Sequence, residues 1–427
     1  MERLIVEGGS RLEGRIAPSG NKNEALPCIA ATLLTDEPVV LHNVPRIRDV
    51  LAMLELVAAL GAEVEFIGSN TVRIRAKDLD GMTLDTDLAR RLRASILFAG
   101  PMLARQGGIC LPPPGGDVIG RRRLDTHFLG LQALGGKLRV LPEAYELTGK
   151  SLMGNDIFLD EPSVTATENV ISGAVLARGK SRIANVACEP HVVGLIRMLS
   201  QMGARVEGAG TNELRIDGVA KLHGTEYTIG PDYLEIGSLI GLAAVTGGEL
   251  YIEQAQTNTL RKIRMVFEKL GVETEALDGD VLWVPGRQEL VVRQEMHGAV
   301  PQIDDAPWPQ FPTDLMSIAI VTATQARGTV LFFEKMYDGR MFFVDNLLAM
   351  GAQVILCDPH RVVVVGPSQL YSTRMESPDV RAGMALLMAA MCAKGASTIY
   401  NIRQIDRGYE RIEEKLNSLG ARIRRES

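Results

Sequence analysis

Leu60-Gly61-Ala62, Leu134-Gly135-Gly136, Met202-Gly203-Ala204, Leu270-Gly271-Val272, Met350-Gly351-Ala352 and Leu419-Gly420-Ala421 are six variants of one triplet, spaced by about 70 to 80 residues along a chain of 427. Each closes a stretch with apolar residues in a 3-4-3 spacing, which lines one face of an α-helix. The stripes are Val50/Met53/Val57/Leu60, Val192/Leu195/Leu199/Met202, Leu260/Ile263/Phe267/Leu270 and Tyr409/Ile412/Leu416/Leu419. Leu124/His127/Leu131/Leu134 and Arg340/Phe343/Leu347/Met350 repeat the spacing with one polar intruder each. A glycine just past such a stripe suits a left-handed C-cap, so each triplet predicts a helix end and a return to strand.

A second helix type alternates with the first. NEALPCIAATLL, RASILFAGPMLA, ATENVISGAVLA, EIGSLIGLAAV, LMSIAIVTATQA and VRAGMALLMAAMCA are apolar on nearly every side and belong inside a core. Five lead through a glycine, and the first through Thr35-Asp36-Glu37-Pro38, into runs such as Val39-Val40-Leu41, Arg182-Ile183-Ala184 and Thr329-Val330-Leu331 that read as strands. One unit is therefore buried helix, strand, turn, amphipathic helix, strand. Six such units predict an α/β protein of two domains, three units to each, with bundled helices inside and sheets outside.

Length and composition agree: 46% hydrophobic and 23% charged residues over 427 positions are those of a soluble globular protein large enough for two cores. A net charge of −6 argues against non-specific affinity for nucleic acid, so an anionic ligand must be held locally. Cys28, Cys110, Cys188, Cys357 and Cys392 are scattered and lack the close pairing of zinc or redox motifs, which fits a reducing compartment. MERLIVEGGS has neither the basic start nor the apolar run of an export signal, and no stretch is long enough to span a bilayer. The chain is expected to be cytoplasmic and away from membranes. No Rossmann or P-loop glycine fingerprint and no HExxH motif is present, so neither a cofactor nor a metal is expected.

With Ser19-Gly20-Asn21-Lys22-Asn23, Phe311-Pro312-Thr313-Asp314 and Asp406-Arg407-Gly408-Tyr409-Glu410-Arg411, the layout resembles the UDP-N-acetylglucosamine enolpyruvyl transferases from first strand to last helix. The resemblance implies two inverse (inside-out) α/β prisms, one built from residues 22–229 with the catalytic loop 111–123, the other from 1–21 and 230–427. It also implies transfer of the carboxyvinyl group of phosphoenolpyruvate to the 3′-hydroxyl of UDP-N-acetylglucosamine, with phosphate as the other product, by a monomer or weak oligomer. The sister family acting on shikimate 3-phosphate shares the fold, so the motifs and not the fold choose the acceptor.

Phosphoenolpyruvate carries a phosphate and a carboxylate on three carbons and needs several converging cations. The candidates are Lys22, Arg93, Arg122, Arg340, Arg381 and Arg407, five of them predicted at helix starts, where free N–H groups and the dipole favour an anion. Taken singly, an arginine at a helix start is as readily a solvated surface residue; Arg340 stands apart because it interrupts an apolar stripe. Addition to the enol ether needs a base for the acceptor hydroxyl and an acid for the methylene carbon. By resemblance Asp314 is the base, or at least binds that hydroxyl, with an N-cap as its alternative role. Asn23 is implied near the sugar and the intermediate, and Arg93, Arg122, Asp125, His127, Ser163 and Val164 around the nucleotide sugar; His127 reads equally well as a packed helix residue. Glu161 and Arg123 depart from the family pattern, which keeps open another uridine nucleotide as acceptor. Asp49, Asp232, Glu235 and Asp379 read as acidic helix-start residues, and Asp304-Asp305-Ala306-Pro307-Trp308-Pro309 as an exposed charged loop.

The loop Leu111-Pro112-Pro113-Pro114-Gly115-Gly116-Asp117-Val118-Ile119-Gly120 departs most from the common family form, with Asp117 where a cysteine is usual and Cys110 too early to replace it. A carboxylic acid can protonate carbon if loop closure and desolvation keep it protonated near the cations. The same substitution leaves open a protein that binds the nucleotide sugar without turning it over. Fosfomycin acts in this family by alkylating the cysteine thiolate, so the purified protein is expected to keep its intact mass after incubation with fosfomycin; an adduct mapped to Asp117 would defeat the expectation.

Overall fold

The computed structural model describes residues 2–116, 119–120 and 122–426. Two compact units are present: Gly20–Asp117 with Arg122–Gly230, and Met1–Ser19 with Val118–Arg121 and Pro231–Ser427. The first carries α1 (Lys22–Ala31), α2 (Arg48–Ala59), the single turn α3 (Thr86–Ala89), α4 (Ala99–Gln106), α5 (Asp125–Ala133), α6 (Val164–Ala174) and α7 (Pro190–Gln201). The second carries α8 (Tyr233–Thr246), α9 (Arg261–Lys269), α10 (Met316–Gln325), α11 (Val344–Ala349), α12 (Val380–Cys392) and α13 (Ile412–Ser418).

In the second unit α8, α10 and α12 pack on one another and are buried almost end to end, over Tyr233–Ala244, Met316–Thr324 and Val380–Met391. In the first, α1, α4 and α6 form the corresponding centre, buried over most of their lengths. Three sheets belong to each unit, and each four-stranded sheet joins one parallel pair to antiparallel neighbours. The parallel pairs are Thr225–Thr228 with Val39–His42, Asp156–Phe158 with Lys180–Ala184, Glu13–Ile16 with Glu249–Ile252, Gln302–Asp304 with Gly328–Phe333 and Arg374–Glu376 with Ala396–Tyr400. The sheet around Gly108–Leu111 has three strands, and there Thr83 supplies a single parallel bridge to Cys110. The sixfold repeat read from the triplets is thus a sixfold repeat of sheet.

The triplet glycines do the work expected of them. Gly61, Gly135, Gly203, Gly271, Gly351 and Gly420 all lie at positive φ, between 83° and 103°. The residue after each glycine donates its N–H five residues back, as from Ala62 to the Val57 carbonyl and from Ala204 to Leu199, which ends the helix in a Schellman motif. Elsewhere the local structure is tighter than periodicity suggests. RASILFAGPMLA divides into a 3-10 stretch, Arg93–Phe98, and α4, because Pro101 has no N–H to offer the carbonyl of Leu97. The Arg340 stripe opens as a 3-10 turn, Arg340–Phe343, and α13 begins only at Ile412, after Arg411 at φ 44°. Tyr409 therefore precedes its helix.

Among the described residues no helix is long and apolar enough to cross a membrane. Close approach of the central helices requires residues without side chains at the crossing. A methyl group on Gly237 of α8 would fall 2.5 Å from Leu315 Cδ1, and one on Gly241 2.8 Å from Ile318 Cγ2. Gly237→Ala is expected to destabilise the protein by about 1–3 kcal/mol, read as a lower urea midpoint at unchanged slope. An unchanged midpoint would show that the α8–α10 contact is loose.

Candidate active site

A helix dry on every flank can carry charge only at its ends, and the second unit shows the result. Asp232 is the N-cap of α8, its Oδ1 accepting from the amides of Leu234 (2.9 Å) and Glu235 (3.4 Å). Asp379 is the N-cap of α12, with Oδ1 taking the amides of Arg381 and Ala382 at 2.8 and 2.9 Å. Asp314 lies in the 3-10 turn Thr313–Leu315 ahead of α10, whose N-cap is Leu315, so Asp314 is not the cap. Its Oδ1 accepts from Arg340 Nη2, and its Oδ2 from Arg381 Nε at 3.1 Å. The Asp314 side chain is 23% exposed, its two partners 11% and 6%.

One carboxylate thus holds two nearly buried guanidiniums at the meeting point of three helix starts. Burial opposes the charge on Arg381, but attraction to Asp314, Tyr409 and Asp232 outweighs it and raises the pKa above the ordinary arginine value. Arg340 follows the same pattern, with Asp314, Asp379 and Glu334 overcoming burial. Arg381 Nη1 also donates to the Tyr409 hydroxyl at 3.2 Å and the guanidinium carbon Cζ sits 5.5 Å from that ring's centre, while Ser238 Oγ meets the same hydroxyl at 3.0 Å. Burial raises the Asp232 pKa, against the pull of Arg381. Arg407, in the turn Ile405–Arg407, is half-buried and donates to Gln404 Oε1 at 2.9 Å. Neighbouring Asp406 accepts from Arg425 at 2.9 and 2.7 Å.

The first unit gathers a second set. Lys22 is the first residue of α1, capped by Asn21, whose Oδ1 takes the amides of Asn23 (2.8 Å) and Glu24 (3.3 Å). Lys22 Nζ lies 2.9 Å from Asp49 Oδ2, and both side chains are largely buried. Arg93 begins the 3-10 stretch and donates from Nη2 to the carbonyls of Arg122 (2.7 Å) and Arg123 (3.1 Å). Arg122 stands three residues before α5, outside any helix or strand, and Arg123 binds Asp125 (3.2 Å) and Asp160 (3.4 Å). Ser163 is the N-cap of α6 without using its hydroxyl for the cap, and Val164 is the first residue of that helix.

His127 is 1% exposed. Asn169 Nδ2 donates to its Nδ1 at 2.8 Å, which places the proton on Nε2, 3.2 Å from Thr165 Oγ1. Both ring nitrogens are taken by side chains. The loop before Arg122 is anchored by Gly115 and Gly116: a methyl on Gly115 would meet the Arg90 carbonyl oxygen at 1.7 Å, and one on Gly116 the Arg93 Cβ at 2.9 Å. Asp117, the proposed acid, and Arg121 lie outside the described residues. Among the described residues no group of His, Cys, Asp and Glu is placed to hold a metal ion.

Sequence reasoning missed the partners that orient these groups. The sequence pattern puts Tyr409 in an apolar stripe, though its place two residues after Arg407 is a usable signal. By sequence Asp49 complements a helix dipole, and its pairing with Lys22 is visible only once α1 and α2 pack. Glu235, expected in the same role, accepts from Ser19 N (3.0 Å) and Lys415 Nζ (2.6 Å).

Residues 6–416 match the family model described as EPSP synthase (3-phosphoshikimate 1-carboxyvinyltransferase). The UDP-N-acetylglucosamine 1-carboxyvinyltransferase of Bradyrhizobium diazoefficiens is 57% identical, covering 99% of this chain and 98% of its own. Those of Treponema denticola (99% of both chains) and Borreliella burgdorferi (100% and 99%) are each 53% identical. Among solved structures, the enolpyruvyl transferase NikO from Streptomyces tendae superposes with a TM-score of 0.88 at 23% identity, over 99% of this chain and 98% of that one. EPSP synthase from Acinetobacter baumannii gives 0.76 at 17%, over the whole of both. At those identities the two structures establish the fold alone.

Burial, with the nearby Arg93 charge, moves the His127 pKa from 6.5 down to about 3. The unfolded chain binds this proton below 6.5 and the folded one does not until about 3, so the contribution to stability is complete above 6.5 and is lost as pH falls through that window. Each pH unit removes about 1.4 kcal/mol there. The His127 ring resonances are expected to stay those of a neutral imidazole down to pH ~4; an ordinary titration would contradict the packing described.

Proposed function

This chain belongs to the EPSP synthase family of carboxyvinyltransferases, and on that footing we propose that it transfers the enolpyruvyl group of phosphoenolpyruvate to the 3′-hydroxyl of UDP-N-acetylglucosamine. The hydroxyl oxygen gives up its proton and adds to the phosphate-bearing carbon of phosphoenolpyruvate while the methylene gains a proton, and the tetrahedral adduct then loses phosphate and one methyl proton. The pathway is peptidoglycan synthesis at its first committed step, and the compartment the cytoplasm. The observation that carries the reading is the largely buried Arg340–Asp314–Arg381 group: two cations at helix starts beside one carboxylate suit a small dianion and a hydroxyl that must lose a proton.

The proposed ligands of phosphoenolpyruvate are Lys22, Asn23, Arg93, Arg122, Arg340, Arg381 and Arg407. Those of the nucleotide sugar are Asn23, Arg93, Arg122, Asp125, Ser163, Val164 and Asp314; His127, expected among them or as a packed helix residue, is read as the latter because Thr165 and Asn169 occupy its two ring nitrogens. Asp314 acts as base and Asp117 as acid. An incoming phosphate or carboxylate competes with Asp314 for its two arginines, so substrate binding itself frees the carboxylate for the sugar hydroxyl.

The purified protein is expected to release phosphate from phosphoenolpyruvate with UDP-N-acetylglucosamine and not with shikimate 3-phosphate or UMP. Asp314→Ala should lower kcat by about 10²–10⁴. The converse acceptor preference would move the chain to the sister branch, and tight nucleotide-sugar binding without phosphate release would make it a binding protein. Asp117→Cys is expected to gain the fosfomycin adduct that the parent lacks.

A further inference from the structure

The stretch Asp304–Pro309, expected as an exposed charged loop, is not one at its start: Asp305 is fully buried. The parallel strands Gln302–Asp304 and Gly328–Phe333 run in register, Asp304 beside Phe333, so Asp305 and Glu334 leave the sheet side by side. Glu334 is also fully buried. Its Oε1 accepts the amides of Met336 (3.0 Å) and Tyr337 (3.1 Å), and its Oε2 the Thr313 hydroxyl (2.8 Å). Asp305 Oδ1 accepts the Lys335 amide at 2.6 Å, whereas Oδ2, with both carboxyls ionised, is a buried oxygen with no hydrogen-bond partner among the described residues. Two ionised carboxylates in contact away from water are unstable on both counts, and one proton relieves both: it removes a charge and links the pair.

The groups around the pair do not remove the need for that proton. Lys335 Nζ is engaged by Asp304, and His360 faces the main chain, its Nδ1 2.7 Å from the Glu334 carbonyl and its Nε2 3.3 Å from Asp338. Arg340 is already shared with Asp314 and attracted by Asp379. Burial, then the hydrogen bond and charge of Asp305, push the Glu334 pKa from 4.5 up to about 8, against the opposing pull of Arg340 and Thr313.

The pair also lies one contact from both partners of the proposed catalytic ion pair. Thr313, held by Glu334, is the residue before Asp314. The Met336–Tyr337 turn, held by the same carboxyl, leads to Arg340, whose guanidinium sits 5.2 Å from the Tyr337 ring centre. Arg340 Nε is buried without a hydrogen-bond partner among the described residues, while Asp314 and the Tyr337 face hold its guanidinium.

We propose that Asp305 and Glu334 share one proton and act as a positioning pair that holds Asp314 and Arg340 in register for the transfer. The positioning half rests on the function proposed above; the proton-sharing half does not.

Each half has its own test. Without substrate, the infrared band of a protonated carboxyl should appear in the difference between parent and Asp305→Asn, and again between parent and Glu334→Gln. A difference is needed because burial also raises the pKa of Glu168 and Asp232. Because the folded-state pKa is raised, the pair's contribution to stability is complete below 4.5 and lost as pH rises towards about 8, and Asp305→Asn should flatten that slope. No difference band and an unchanged slope would overturn the shared proton. With substrates, Asp305→Ala should lose about ten- to hundredfold in kcat with little change in KM. Asp305→Asn, which still offers Glu334 a donor, should recover most of that and move the alkaline limb of the kcat profile. Parent-like kcat and pH profile in both variants would reduce the pair to a structural role. Absence of transfer by the parent itself would fail the proposed function and leave the spectroscopic result standing.

Discussion

A helix that is apolar all round must be covered on all sides, and this constraint governs the rest of the molecule. Each unit meets it by bundling three such helices and wrapping them in sheet. The flanks of α8, α10 and α12 are then dry, and the places where a polar group can be satisfied are the helix ends, where unpaired amides await partners. Asp232 and Asp379 take those amides directly. Arg381 and Asp314, at neighbouring ends, have each other. The charged site is what remains when everything else in the bundle has been made apolar.

The surrounding elements follow from the same need for coverage. A unit of sheet and amphipathic helix can repeat only if each helix stops at a fixed point and hands the chain to an outer strand. The six Schellman turns provide that stop, with the left-handed glycine avoiding the steric cost that any side chain would bear. Inside, glycine has a different use: Gly237 and Gly241 let α8 approach Leu315 and Ile318 closely, and Leu315 directly follows Asp314. Core packing and site geometry are therefore coupled through the first turn of α10.

The sequence by itself determined the repeat, the two helix classes, the helix ends and the residue types of the site, because each is a local pattern: a period of 3.6, a glycine at a defined offset, a charge at the start of an apolar run. Lys22, Arg340, Arg381 and Asp314 could be singled out on those grounds with the family resemblance. Only the tertiary structure decided what these residues touch. That Asp314 bridges two arginines, that Tyr409 backs Arg381, that Lys22 meets Asp49 and that Asp305 is buried beside Glu334 are contacts between segments up to tens of residues apart. Hydrophobic periodicity says which face of an element turns inward; it carries no information about which polar group from another element will be waiting there, and that pairing sets burial, protonation and geometry.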